Sequence, residues 1–189
     1  MKNVIIAFIL MFTVLSFAQD KSNKKILIGV SYSLTNNDIR YNNPLSFYAT
    51  YQIKQWGKLD INAGLKSFYS STKNSTDNRP ANFSNKLGFN PNVSASYYFL
   101  QDKMNTYFSL GYYFDNSTFK PTPSGLFTSP EQSIKTSGFT IAPGLKYFVH
   151  PNIFIDTNLT LILAKTNYEL GGSESSNNTF FNIGLGIAF

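Results

Sequence analysis

Residues 179–189 read TFFNIGLGIAF. Phe181, Ile183, Leu185, Ile187 and Phe189 fall on one parity, and Asn182, Gly184, Gly186 and Ala188 on the other. Successive side chains of an extended strand point to opposite faces, so this segment sets large apolar residues against small or polar ones. The period of two runs back through the chain. In 153–164, Ile155, Thr157, Leu159, Leu161 and Leu163 oppose Asp156, Asn158 and Thr160; in 137–149, Phe139, Ile141, Pro143, Leu145, Tyr147 and Val149 oppose Thr140, Ala142, Gly144 and Lys146. Segments 104–114, 87–100, 58–69, 45–55 and 26–34 repeat the pattern. Eight strands are expected.

Their connections also alternate. Short ones carry Gln55-Trp56-Gly57, Gln101-Asp102-Lys103 and His150-Pro151-Asn152, while long polar ones cover roughly 36–43, 70–86, 115–136 and 165–178. Short turns at one end and long loops at the other predict an all-β chain, an eight-stranded antiparallel transmembrane β-barrel with short periplasmic turns and long extracellular loops. Composition agrees. Of 189 residues, 42% are hydrophobic, 16% aromatic and only 14% charged, against about 25% charged in ordinary soluble domains. A mean hydropathy of −0.15 is too low for a helical membrane bundle. Residues 1–18, MKNVIIAFILMFTVLSFA, have the basic start, short apolar run and small-x-small end of a cleaved signal peptide. That leaves 19–189 as a single barrel domain.

Five charges lie within the expected strands, Lys54, Asp60, Lys66, Lys146 and Asp156, and all fall on the small, polar parity. A basic residue facing mid-bilayer costs about 2–4 kcal/mol, which accounts for their absence from the aliphatic face. The polar face is Gly-rich and poor material for a dry core, so it is read as the lumen and the five as lumen charges. A hairpin centred on Gly57 would set Lys54 opposite Asp60, and one centred on Pro151 would set Lys146 opposite Asp156. Lys66 is left with Tyr48 as its neighbour. Aromatic girdles are expected from Trp56, Tyr97, Phe99, Tyr147, Phe154 and Phe189 near the short turns. Toward the loops the girdle comprises Phe47, Phe68, Tyr69, Phe89, Phe114, Phe139 and Phe181. Inward parity collects Tyr48, Phe68, Tyr98, Tyr107, Tyr113, Phe148 and Phe154, so Phe68 and Phe154 appear in both sets.

The terminal alternation closing on Phe189 resembles the C-terminal signal of outer-membrane barrels. Two internal segments, Phe89-Asn90-Pro91-Asn92-Val93 running to Tyr97-Tyr98-Phe99-Leu100, and Phe139-Thr140-Ile141-Ala142-Pro143-Gly144-Leu145 running to Tyr147-Phe148-Val149, resemble each other. Each has an outward proline and ends on aromatics before a tight turn. The pattern is similar to the small outer-membrane β-barrel domain of Bacteroidetes-type bacteria, related to OmpA- and OmpX-like eight-stranded barrels and often labelled porin family. The resemblance implies outer-membrane residence, contact with lipid and lipopolysaccharide, and capture by the barrel assembly machinery through Phe181, Ile183, Leu185, Ile187 and Phe189. It differs from full-length OmpA-type proteins in having no peptidoglycan-binding domain after the last strand, so no cell-wall tether is expected.

Little chemistry is on offer. Cysteine is absent, which excludes disulfides and thiolate sites, and His150 is the one histidine. Lipid-modifying barrels would imply His and Ser at the extracellular rim, whereas His150 falls in a short turn. Glu169, Glu174, Asp38, Asp77 and Asp115 read as solvated loop charges, and Gly171-Gly172 as a flexible loop tip. No catalytic, cofactor-binding or metal residue is expected, and the scattered basic residues do not point to nucleic acid. Arg40, Lys73, Arg79 and Lys86 are expected to meet anionic head groups. The expectation is a monomeric, non-enzymatic barrel with a structural or surface-interaction role, an extracellular partner reached through the loops, and a lumen plugged by side chains. The alternative is a narrow porin-like channel for ions or small solutes.

Overall fold

The first strand pairs with the last. β1 (Ile26–Leu34) lies antiparallel to β9 (Ser173–Ala188), with Val30 opposite Leu185 and Tyr32 opposite Ile183, and so joins the two ends of the sheet. The computed structural model describes residues 25–34, 41–72, 81–100, 102–121 and 130–189. Between β1 and β9 run β2 (Leu45–Trp56), β3 (Leu59–Ser70), β4 (Ala81–Phe83), β5 (Lys86–Phe99), β6 (Met104–Pro121), β7 (Gln132–His150) and β8 (Ile153–Tyr168). Eight of the nine close a ring in the order β1-β2-β3-β5-β6-β7-β8-β9, every pair antiparallel. β4 stands outside it, paired with the far end of β6 beyond the first residues of β5. This ring is the eight-stranded barrel that the alternation predicts. Closure leaves the eight-stranded ring without an open edge, so its backbone donors and acceptors find partners without water.

The barrel is inverted relative to a soluble one. Outward positions such as Ile28, Phe47, Val93, Leu110, Phe139 and Leu185 are exposed, between 49% and 69%. Inward ones such as Ser31, Ser46, Ser94, Thr140, Asn158 and Asn182 are buried. A continuous apolar belt of this size in water would be an aggregation site; in hydrocarbon it is the ordinary surface. Trp56, Tyr97 and Tyr147 ring the short-turn end of the belt, and Phe47, Tyr69, Phe114, Phe139 and Phe181 its opposite end. Phe68 and Phe154 do not join the girdles, being 3% and 0% exposed inside the barrel, where their strand parity sends them.

Three departures from the expected strands matter below. The loop expected at 165–178 is instead a continuation of β8 and β9, with Lys165 opposite Ser175 and Asn167 opposite Ser173. Its tip is a tight turn closed by the Tyr168 N–H donating to the Gly172 carbonyl, with Gly171 and Gly172 at φ +103° and +96°. Only glycine adopts such angles without strain, so these residues build the turn. β6 and β7 likewise extend through Asn116 and Lys135 to Phe119 and Gln132. The third departure is at the first hairpin. Its turn is the two residues Gly57 and Lys58, with Gly57 at φ +61°, and the register shifts between Gln52 and Lys54. The expected signal peptide, Asp38, Arg40, Lys73, Asp77, Arg79 and Gln101 lie outside the described residues.

Candidate functional site: a polar chamber between two aromatic layers

Inward glycines shape the interior. Gly29 lies opposite Tyr48, Gly144 opposite Tyr107 and Gly186 opposite Phe154, and a Cβ added to any of these glycines would run into the facing ring. The missing side chain on one strand is the space the aromatic of its neighbour occupies. At the short-turn end this packing makes an apolar layer of Leu27, Phe148, Phe154 and Ala188, with Tyr48 and Tyr98 against it. Phe148 packs between Phe154 and Tyr98 with tilted rings, their centroids 5.4 and 6.2 Å away. Toward the loops a second layer joins Phe68, Tyr113, Ile162 and Ala164, with Phe180 against it, and Phe68 meets Tyr113 edge-on at 5.6 Å.

Between the layers is a cavity of about 60 Å³, bordered by Tyr48, Lys66, Asn92, Tyr107, Lys146 and Asp156 among others. Polar groups from nonadjacent strands meet across it. The Tyr107 hydroxyl of β6 donates to Asp156 Oδ1 of β8 at 2.8 Å, and Asn90 Nδ2 of β5 donates to Thr140 Oγ1 of β7 at 2.9 Å. Asn182 ties three strands together: its Nδ2 donates to Asn158 Oδ1 at 2.7 Å and Thr160 Oγ1 at 3.0 Å, while its Oδ1 accepts from Ser33 Oγ at 2.5 Å. Such satisfied networks rigidify a polar interior.

Of the five strand charges, Lys66, Lys146 and Asp156 border this cavity. Lys146 stands opposite Asp156, and Lys66 opposite Tyr48. Lys146 Nζ sits 3.5 Å from the Tyr107 ring centroid, and Lys66 Nζ 4.8 Å from that of Phe68. Asp60 is buried at the short-turn end, between Gln55 and Ser96 on the neighbouring strands. Lys54 is a correction: it is exposed, faces Ile61 instead of Asp60, and extends over the Trp56 ring at 4.9 Å. The two-residue turn and the bulge after Gln52 move it by one position, which is enough to reverse a strand's facing. Of the terminal set, Phe181, Ile183 and Leu185 face outward, Ile187 is covered between Ile28 and Ile153, and Phe189 is partly exposed.

A further pair escapes the sequence reading. Lys86 and Asp115 form an ion pair of 3.0 Å at the loop-end mouth, the Asp115 side chain fully buried, with Lys86 Nζ 5.7 Å from the Tyr41 ring. The sequence alone makes both of them loop charges, with Lys86 among those meeting head groups. Continuing the parity of β5 and β6 past Leu87 and Phe114 turns both inward. Glu169 and Glu174 are also engaged, Glu169 accepting from the Ser133 N–H at 2.9 Å and Glu174 from the Tyr168 hydroxyl. His150 is exposed in its turn. Among the described residues no three His, Cys, Asp or Glu side chains gather where they could hold a metal.

Known proteins place this geometry. A comparison with curated proteins found no match. Among solved structures, Ail, the attachment invasion locus protein of Yersinia pestis, superposes with a TM-score of 0.60 at 15% identity, over 87% of this chain and 97% of that one. A major outer membrane protein from Thermus thermophilus gives 0.52 at 10% identity over 87% and 98%. OprG, an outer membrane protein of Pseudomonas aeruginosa, gives 0.51 at 11% identity over 89% and 98%. At these identities the likeness is one of fold. The sequence itself matches the outer membrane protein beta-barrel domain across residues 4–189. The chain therefore belongs to that family, as a β-barrel protein of the bacterial outer membrane.

Proposed function

We propose that this barrel is a closed scaffold that presents hairpins at the cell surface, with a structural or surface-interaction role and no conducting lumen. The observation that carries the reading is the pair of aromatic layers across the interior, each built from side chains of several strands. Eight strands leave an interior just wide enough for side chains to fill. The hairpins supply the other half. Above the belt at Phe139, Leu163 and Phe181, the outward positions change to Lys135, Lys165, Asn167, Ser175 and Asn177, all exposed. β6–β7 and β8–β9 thus continue as polar strand pairs into the aqueous phase, with Glu169 at the β8–β9 turn bonded to Ser133 near the start of β7.

In this reading residues 1–18 are the cleaved export signal of a 19–189 barrel. Phe181, Ile183, Leu185, Ile187 and Phe189 are the strand offered to the assembly machinery. Lys135 and Lys165 stand where lipopolysaccharide head groups begin, and the barrel works as a monomer. The rival reading, a narrow channel for ions or small solutes, draws on the cavity alone.

The test replaces residues 166–174 by Asn-Gly, which joins Lys165 to Ser175 through a two-residue turn of the kind hairpins favour. Outer-membrane vesicles carrying the intact or shortened barrel are assayed on glycans, matrix proteins and host cells. Intact vesicles are expected to bind a target that shortened ones lose, while both barrels keep the heat-dependent gel shift of a folded barrel. Binding profiles unchanged by removing either the tip or the whole protein would overturn the surface role.

A further inference from the structure

The charges bordering the chamber do not balance. Two ammonium groups, Lys66 and Lys146, border it with one carboxylate, Asp156. The carboxylate accepts from Tyr107. Among the described residues neither lysine reaches a carboxylate at ion-pair distance, and each rests instead against a ring. Three buried polar atoms bordering the same space, the hydroxyls of Tyr48 and Thr50 and the Asn90 Oδ1 acceptor, have no partner at hydrogen-bond distance. A charge sealed away from bulk water needs an opposite charge or a set of donors and acceptors around it.

Aromatic layers lie at both ends of the chamber, so bulk counter-ions screen it less than they screen a surface charge. Lysine and hydroxyl are both donors, which is the chemistry that holds an anion. The volume limits its size. A water needs roughly 10–15 Å³ measured in this way, so about 60 Å³ takes about four water-sized particles. A sulfate or phosphate group, with five heavy atoms and up to two or three charges, exceeds both the space and the net charge of one.

We propose that the chamber holds one small monovalent anion of halide size, with Lys66 and Lys146 as its counter-charges and the Tyr48 and Thr50 hydroxyls as donors. The anion completes the polar interior as a structural ion. This reading stands apart from the hairpins, since their failure to bind any target would leave the chamber's charge balance as it is.

Bromide is the probe. The refolded mature chain is crystallised from sodium bromide, and anomalous diffraction is recorded at the bromine edge. A peak inside the chamber, in contact with Nζ of Lys66 or Lys146, is expected in the wild type. The same peak is expected in Lys54→Met, which removes an outward lysine, and its loss in Lys66→Met. Bromide found only at surface lysines, or a wild-type chamber filled by water alone, would overturn the proposal. Should Lys66→Met not fold, the wild type carries a second readout. Its unfolding midpoint in detergent should be higher in sodium chloride than in sodium gluconate of equal ionic strength, and Asp156→Asn should enlarge that difference. Equal midpoints in the two salts would count against the site.

Discussion

Tyr107 serves three neighbours at once. Its hydroxyl holds Asp156, its ring lies beneath the Lys146 ammonium, and its bulk fills the space left by Gly144. Removing only the oxygen separates the first of these from the others. Tyr107→Phe keeps the ring and leaves a buried carboxylate without its donor, and hydrogen bonds to charged groups are worth about 1.5–3 kcal/mol. The expected outcome is a loss of stability in that range, read from urea titration of Trp56 fluorescence in one fixed lipid. No loss would mean that Asp156 is held by other groups. Lys54 carries the opposite lesson at the same scale. Its charge and parity are visible in the sequence, but facing depends on register, and a single bulged residue near Ile53 reverses it. Lys146 and Asp156 lie beyond the bulge of their own hairpin, between Phe148 and His150, so the register inward of it is the one a turn centred on Pro151 gives.

At the scale of the strand, glycine and aromatic residues have to be read together. Gly29 with Tyr48, Gly144 with Tyr107 and Gly186 with Phe154 are cross-strand partners, each glycine giving its lumen space to the facing ring. Gly186 is the tightest test, because a Cβ there would meet both the Phe154 ring and the Ile28 carbonyl, 2.7 Å away. The carbonyl belongs to the β1–β9 ladder and cannot move as a side chain can. Gly186→Ala should therefore destabilise the barrel by about 1–3 kcal/mol, the usual cost of overpacking. Urea titration of the gel shift measures it; a neutral result would show the layer to be loosely packed.

The same scale explains which strands are legible. Wherever one face meets lipid, the alternation of large apolar with small polar residues marks the strand, and eight segments stand out for that reason. Above the lipid that contrast ends. Ser173, Glu174, Ser175, Ser176, Asn177 and Asn178 are polar on both faces, so nothing in their pattern separates a strand from a loop. Pairing with the preceding strand makes them β-structure, and pairing is a property of two segments. Lys86 and Asp115 are hidden for the same reason, at the last inward positions before the pattern fades.

For the whole molecule the two aromatic layers act in series. Ions would have to pass Phe148, Phe154 and Tyr98, cross the polar chamber, and then pass Phe68, Tyr113 and Ile162. In the closed-scaffold reading either layer alone blocks conduction, so the folded wild type is expected to be silent in a planar bilayer. Phe154→Ala or Phe68→Ala alone should remain silent, although each buried truncation costs about 3–5 kcal/mol of stability. The double variant, checked for folding by its gel shift, should open. Its conductance should favour anions, because the central chamber sets Lys66 and Lys146 against Asp156, while Asp60 lies nearer the short-turn end and Asp115 is paired with Lys86. Steady openings of the wild type would overturn the closed scaffold and return the channel reading. Openings of Phe154→Ala alone would show that the layer toward the loops is no seal, and openings of Phe68→Ala alone would say the same of the periplasmic one. Cation selectivity in the double variant would mean that the carboxylates Asp156 and Asp60, and not the lysines, set the potential of the lumen.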